Sequence, residues 1–459
     1  MEFRTTRPHQ PSEIQPQTLT ELAWKIPGLA SRLRTMLDLT ATAITPDTWP
    51  FNPAWLPEHT CLVGGAVRDA LLQRKREYLD LDFVVPQKAV ETARQIARSH
   101  NAGFVVLDAQ RQIARVVFEH ATADFAQQEG DSLEIDLRRR DFTINAIAYN
   151  PMTQRAIDPL DGCEDLRKQL IRMVSAENLA DDPLRLLRAY RQGAQLGFAI
   201  APDTEAALIA LAPKLSNVAV ERVIVELGYL LNLTSGSQAV VKAWMDGVLQ
   251  VWFPYTTAER VAQLPEIDRI AEQIRDRWPQ LAAHLNAPLL PSQPTTGLSL
   301  AKLVMLLPAD PQQGETEIKT LKLSRPEGRG AIAILQHLPN LVACQGHMTL
   351  REQYFFFQKA MAVFPTLVLL AKVTGVSFQA LAPLIARYLD PNDPVAYPQP
   401  LVTGKELMTR LKMKKGRAIG LLLTEIQIAR IEGKVRTESE AIAFGKTWLQ
   451  SQEIPNIPL

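Results

Sequence analysis

Within residues 62 to 85, LVGGAVRDALLQRKREYLDLDFVV, Leu79, Leu81 and Phe83 alternate with Asp80 and Asp82 ahead of two valines. Strand side chains alternate between two faces, so this segment has the period of a buried strand yet carries both carboxylates on one face. Two acids at i and i+2 on a strand sit about 6 to 7 Å apart at their Cα atoms, and their oxygens can approach each other. Two negative charges at about 5 Å cost roughly 3 kcal/mol at an effective dielectric of ~20. The fold must therefore offset them with positive charge or leave that face in water. Mg²⁺ is the natural counter-ion, being hard, oxygen-seeking and commonly held by one or two carboxylates plus substrate phosphates. The alternative is a solvated strand face. Gly64 and Gly65, between the apolar CLV and the helical AVRDALL, favour the first reading, because twin glycines at a strand-to-helix turn let backbone N–H groups approach an anion. They form neither GxGxxG nor GxxxxGK[ST], so neither a Rossmann dinucleotide site nor a P-loop is indicated.

The rest of the chain sets this segment in a small α/β unit. Short β-rich runs (CLVGG, LDFVV, FVVLD, ARVVFEH, TADFA, LIRMV) occupy residues 61 to 174, separated by helical periods such as QKAVETARQIARSH. Beyond 175, stretches such as DDPLRLLRAYRQGAQLGF and VERVIVELGYLLN repeat apolar residues at three and four, which predicts helices. The fold class is α+β, a small mixed α/β head followed by an all-α body and tail. Its divisions are a lead-in over 1–60 with a helix and then WPFNPAWLPEHT, a head over 61–174, and helical segments over 175–235, 236–390 and 391–459. LNAPLLPSQPTTG (285–297) reads as a loop and DPNDPVAYPQP (390–400) as a linker.

With 46% hydrophobic residues and a formal net charge of +1, the chain is globular, and any nucleic-acid contact must come from local basic patches. Cys61, Cys163 and Cys344 form no CxxC, and the seven histidines no HExxH, so neither zinc nor disulfides are expected. Apolar stretches such as MAVFPTLVLLAKV (361–373) fall short of the ~20 residues of a membrane span. The start lacks an apolar signal core, so the expected location is the cytoplasm.

VGGAVRD followed by DLD resembles the signature of polymerase-beta-like nucleotidyltransferases, in the class II branch that holds tRNA CCA-adding enzymes and bacterial poly(A) polymerases. LRRRDFTINAIAYN (137–150), IDPLDGCEDLRKQLIRMV (157–174), DDPLRLLRAYRQGAQLGF (181–198) and VERVIVELGYLL (220–231) are similar to that family's successive blocks, in order. LVTGKELM through EGKVRTESEAIAFG (401–445) resembles its C-terminal segment. The resemblance implies a catalytic head at 61–174, a nucleotide-recognition neck at 175–235 and a tRNA-binding tail at 391–459. It also implies two-metal nucleotidyl transfer from CTP, with ATP as a further candidate, to tRNA.

On this reading Asp80 and Asp82 bind the metals, and Asp124, in TADFA, is the third carboxylate or else a solvated hairpin acid. Gly64, Gly65, Arg68 and Arg140 would contact the phosphates. Arg138 and Arg139 either assist or form a solvated basic face. Asp141 would lie near the ribose and could also cap FTINAIAY, with Asn145 nearby. Asp182 and Arg185, three apart on a predicted helix, share a face. An acceptor beside a donor matches the edge that cytosine and adenine share, and rejects uracil and guanine by leaving buried polar groups unpaired, at about 1 to 3 kcal/mol each. Arg188 and Arg191 then suit the triphosphate. The alternative is that Asp181 or Asp182 caps a helix with Pro183 at its first position and the three arginines form a solvated stripe. Asp181-Asp182 stands where the family often has Glu-Asp, which leaves the role of the first acid in doubt.

Lys412, Lys414, Lys415 and Arg417, in a tail rich in basic residues, are the expected RNA contacts, holding folded RNA by shape and charge. A solvated helical surface is the alternative. Here MKKGRAIG departs from the family's common Pro-Gly. Between Asp124 and Asp141 lie only FAQQEGDSLEIDLRRR. CCA-adding relatives commonly have a longer loop at this point, so the length implies CC addition. Full CCA addition, poly(A) synthesis and an inactive RNA-binding scaffold are the other readings.

Overall fold

The structure is a computed structural model that describes residues 45–74, 78–290 and 295–451. The helix expected in the lead-in lies outside the described residues. The chain divides into two compact units, the first ending at Lys214 and the second beginning at Leu215.

In the first unit, β1 (Cys61–Val63), β2 (Leu79–Val85), β3 (Gly103–Asp108), β4 (Ile113–Val117), β5 (Ala121–Gln127), β6 (Ala148–Asn150) and β7 (Arg155–Ile157) form one sheet of order β3-β4-β5-β2-β1-β6-β7. β2 and β5 are parallel, and the other neighbouring pairs are antiparallel. Helix α1 (Gly65–Leu71) follows β1, and α2 (Ala89–Ser99) packs on β3, β4 and β5. Ala89, Ala93, Ile96 and Ala97 of α2 are buried, which is the spacing of one helical stripe.

The sheet's two faces differ as the alternation of β2 predicts. Leu81, Phe83 and Val85 are buried, and Phe83 stacks on Phe125 of β5 at 5.1 Å between ring centroids. The lead-in joins this layer through Trp49 and Phe51, 5.0 and 5.7 Å from Phe83. The opposite face carries Asp80 and Asp82, and below them Val84 closes a cluster with Cys61, Val63, Leu137, Ala146 and Ala148.

Beyond the sheet come α3 (Leu133–Arg138), capped by Ser132, then α4 (Gly162–Lys168), α5 (Ala176–Asp181), α6 (Leu184–Leu196) and α7 (Pro202–Leu211). β8 (Leu170–Ile171) and β9 (Ala199–Ile200) pair in parallel. FTINAIAY is not a helix. Thr143–Asn145 makes a single 3-10 turn, and Ala148–Asn150 leaves it as β6, paired with β1 and β7. Sheet pairing overrides local helical spacing here.

The second unit is helical among its described residues, apart from an isolated bridge between Pro288 and Thr296. Phe364 through Ala371 are all buried, the mark of a central core helix. The expectation that no apolar stretch reaches spanning length needs correction, because the helical run Leu350–Val373 has 24 residues and passes by length and composition. Its apolar window is 67% buried within the protein, so packing against the other helices accounts for its composition. Near the C-terminus, Gly404–Leu411, Arg417–Ile431 and Glu438–Ser451 close around Leu407, Ile419, Leu422, Ile426 and Ala441.

Candidate active site

Sheet register assembles the acids. Asp82 pairs with Asp124 across the parallel β2–β5 ladder, and Asp80 with Thr122. Thr122 Oγ1 donates to Asp80 Oδ1 at 2.7 Å. One strand further, Arg115 of β4 lies opposite Asp124. It donates from Nε and Nη2 to the two oxygens of Asp124 at 2.7 and 2.8 Å. Burial, then the charges of Asp80 and Asp124, push the Asp82 carboxyl up to about 6 against the pull of Arg140 and Arg115.

The glycine turn meets this row. Gly64 has φ 74° and ψ −138°, a region where a side chain is strained. A Cβ there would stand 3.5 Å from both Arg140 Nη1 and Asp82 Oδ2. Gly65 opens α1. Arg140 is held by Asp136 at 3.3 Å, while its buried Nε has no hydrogen-bond partner. Asn178 donates to the carbonyls of Arg138 and Arg140 at 2.8 and 2.9 Å, fixing this segment. Arg138 and Arg139 point elsewhere and pair with Glu134 and Glu129 on the surface.

The residues fit a divalent cation in their donor chemistry. Asp80 and Asp82 offer hard carboxylate oxygens at a place short of positive charge, and such an ion completes its shell from phosphates and water. Among the described residues no three of His, Cys, Asp and Glu converge as a ready-made cage. The three cysteines are free.

Other expected residues face one another. Arg68 is buried and bonds Asp69 at 2.8 Å, Asn145 Oδ1 at 2.8 Å and Gln192 Oε1 at 3.3 Å. It lies inside the protein rather than at an open phosphate face. Asn145 Nδ2 donates to Asp141 Oδ1 and to Gln192 Oε1, both at 2.9 Å. Asp141 accepts from the Phe142 N–H at 2.8 Å and pairs with Arg188 at 2.9 Å. Burial alone would raise its pKa, but the Arg188 charge and the bonds from Asn145, Arg188 and Phe142 outweigh burial and hold it below the usual range. It therefore anchors a turn and α6 and caps no helix.

Asp182 and Arg185 do not share a helical face as expected. Asp182 ends α5 with φ −131° and ψ 90°, because the ring of Pro183 disfavours helical backbone at the preceding residue. Arg185 begins one turn on, its N–H bonded to the Asp182 carbonyl at 3.0 Å, and its Nη1 donates to the carbonyls of Arg139 and Asn178 at 2.9 and 3.1 Å. Asp181 is exposed. Arg191 donates to Gln195 at 2.9 Å. In the second unit, Lys412, Lys414, Lys415 and Arg417 are all exposed around the turn before Arg417–Ile431.

The sequence reading missed Arg115, Thr122, Asp69, Asn178 and Gln192. Arg115 alternates with the buried Ala114 and Val116, and Gln192 lies four residues after Arg188 on α6, so both carried a periodic signal.

A mixed sheet with adjacent strand carboxylates, a positive-φ glycine and a neighbouring arginine defines a nucleotidyltransferase head. Residues 60–172 match the Poly A polymerase head domain family, 197–260 the "Probable RNA and SrmB- binding site of polymerase A", and 294–444 tRNA nucleotidyltransferase domain 2. A CC-adding tRNA nucleotidyltransferase of Synechocystis is 49% identical, covering 86% of this chain and 95% of that one. An A-adding enzyme of Deinococcus radiodurans is 31% identical over 86% and 96% of the two chains. Among solved structures, the Bacillus stearothermophilus CCA-adding enzyme in complex with CTP superposes with a TM-score of 0.64 at 25% identity, covering 86% and 94%. The Thermotoga maritima CCA-adding enzyme complexed with tRNA matches in fold with a TM-score of 0.64 at 22% identity, covering 95% and 96%. The chain belongs to the family of CC- and CCA-adding tRNA nucleotidyltransferases.

Proposed function

We propose that this protein adds cytidylates from CTP to the 3′ end of tRNA without a nucleic-acid template and stops at CC. The observation that carries this reading is the placement of Asp82, in register with Asp124, beside Gly64 and Arg140. Asp80 and Asp82, with Asp124, would hold divalent metal, and Mg²⁺ is the ion their oxygen-only set suits best. When bound, such an ion would supply Lewis-acid activation of the RNA hydroxyl and charge stabilisation of the leaving pyrophosphate.

The protein's own residues do the rest. The Gly64 turn lets a triphosphate approach the backbone without a side chain between, and Arg140 offers charge to the phosphates. Asp141 holds Arg188 on α6, orienting it toward the nucleotide. Asp182 and Arg185 remain our assignment for reading the base edge, with Arg185 exchanging its carbonyl partners for the ring nitrogen. The exposed Lys412, Lys414, Lys415 and Arg417 would grip RNA phosphates. We assign the activity to the cytoplasm on the strength of these substrates.

CC addition is favoured by the short connection between Asp124 and Asp141, which consists of the end of β5, the six-residue α3 and its flanking turns, and by the name of the Synechocystis relative. The test uses purified protein and a tRNA lacking its last three nucleotides, given CTP alone, ATP alone and both, with the RNA ends sequenced. A CC end with CTP, unchanged by ATP, is expected. A CCA end or a run of adenosines overturns the CC assignment, and no incorporation by the unmutated protein points to an inactive scaffold.

A further inference from the structure

We propose that Arg115 is a displaceable counter-ion, occupying both oxygens of Asp124 in the metal-free protein and surrendering them when a divalent cation enters. This rests on reading Asp124 as a metal ligand. The two parallel bonds, 2.7 and 2.8 Å long, form a fork that takes up both carboxylate oxygens at once. The fork ties Asp124 to the neighbouring strand β4.

The surroundings let the side chain leave without moving the strand. Ala114 and Val116 on either side are fully buried and fix the backbone. The Arg115 side chain is 41% exposed, whereas Asp124 is 19% exposed, so the cation has a route to water while the acid stays in place. Its other cross-strand neighbour, Val105, offers no competing side-chain bond. Without Arg115 the row would bring Asp80, Asp82 and Asp124 together with one positive neighbour fewer. The arginine thus keeps the acids assembled until metal arrives.

The test measures Mn²⁺ affinity of the purified protein without nucleotide, by electron paramagnetic resonance of the free ion, for wild type, R115K, R115Q and D82N. Loss of the bidentate fork should tighten Mn²⁺ binding about threefold in R115K and about tenfold in R115Q. If R115K binds as wild type while only R115Q tightens, distant charge rather than the fork is responsible and the proposal fails. Weaker binding in R115K also overturns it, since Arg115 would then orient Asp124 for the metal. Should R115Q not fold, R115K alone decides on the same criteria. D82N reports on the underlying site: if it binds Mn²⁺ as tightly as wild type, the metal assignment itself is wrong, independently of Arg115.

Discussion

Asp82 is the residue at which the proposed metal-binding role works against stability. With its carboxyl pushed up to about 6 by burial and by Asp80 and Asp124, the fold favours the protonated form. The stability that this proton contributes is complete below the unfolded carboxylate range and is lost as pH rises through about 6. Above that, ionised Asp82 opposes folding by at most about 3 kcal/mol. In EDTA, Asp82→Asn should therefore raise Tm at pH 8, with the gain shrinking as pH falls toward the unfolded carboxylate range at about 4; assayed with Mg²⁺ present, it should abolish incorporation. A lower Tm at pH 8 would show that the charge is already compensated. Alternation along a single strand made Asp80 and Asp82 legible in the sequence, whereas Asp124 was picked out only through the family resemblance. The Arg115 fork was not legible, because it depends on the register between β4 and β5, which no local pattern specifies.

At the scale of elements, α1, the 3-10 turn and α6 are tied by one buried polar network. Arg68, Asp141, Asn145 and Arg188 were legible as a set belonging together, but their expected partner was the nucleotide. The structure turns them toward one another across 77 and 47 residues of sequence, with Gln192 as the shared acceptor. Their first task is to lock α6 against the turn, so that Arg188 holds a fixed position on Asp141. Asn145→Ala removes a bond from Arg68, from Asp141 and from Gln192 at once. Leaving these buried groups short of partners should cost about 2 to 4 kcal/mol, read as a lower urea midpoint of the first unit. An unchanged midpoint would mean that water replaces the amide without loss. The Asp182 misreading is also an element-scale effect: helical spacing continues through Pro183, but the proline ring ends the preceding helix.

For the whole molecule, the change from strand periods to helical periods near residue 175 made the head and the helical remainder legible. The boundary at Lys214 and Leu215 was not, because it falls inside the 3-10 segment Ala212–Asn217 with helices on both sides, and neither periodicity nor composition changes there. With a net charge of only +1, the protein has no general attraction for a polyanion, so grip on tRNA must come from a concentrated surface. Lys412, Lys414, Lys415 and Arg417 are the surface we propose for it, at a turn whose flanking helices bury Leu407, Ile419 and Leu422 and leave the cations to solvent. The double change K414E/K415E should leave this core intact, weaken tRNA binding, and reduce the slope of log K against log salt by about 2, near 0.9 per lost phosphate contact. Filter binding across a salt series reads both. An unchanged slope would make the cluster an ordinary solvated surface and move the RNA grip elsewhere on the chain.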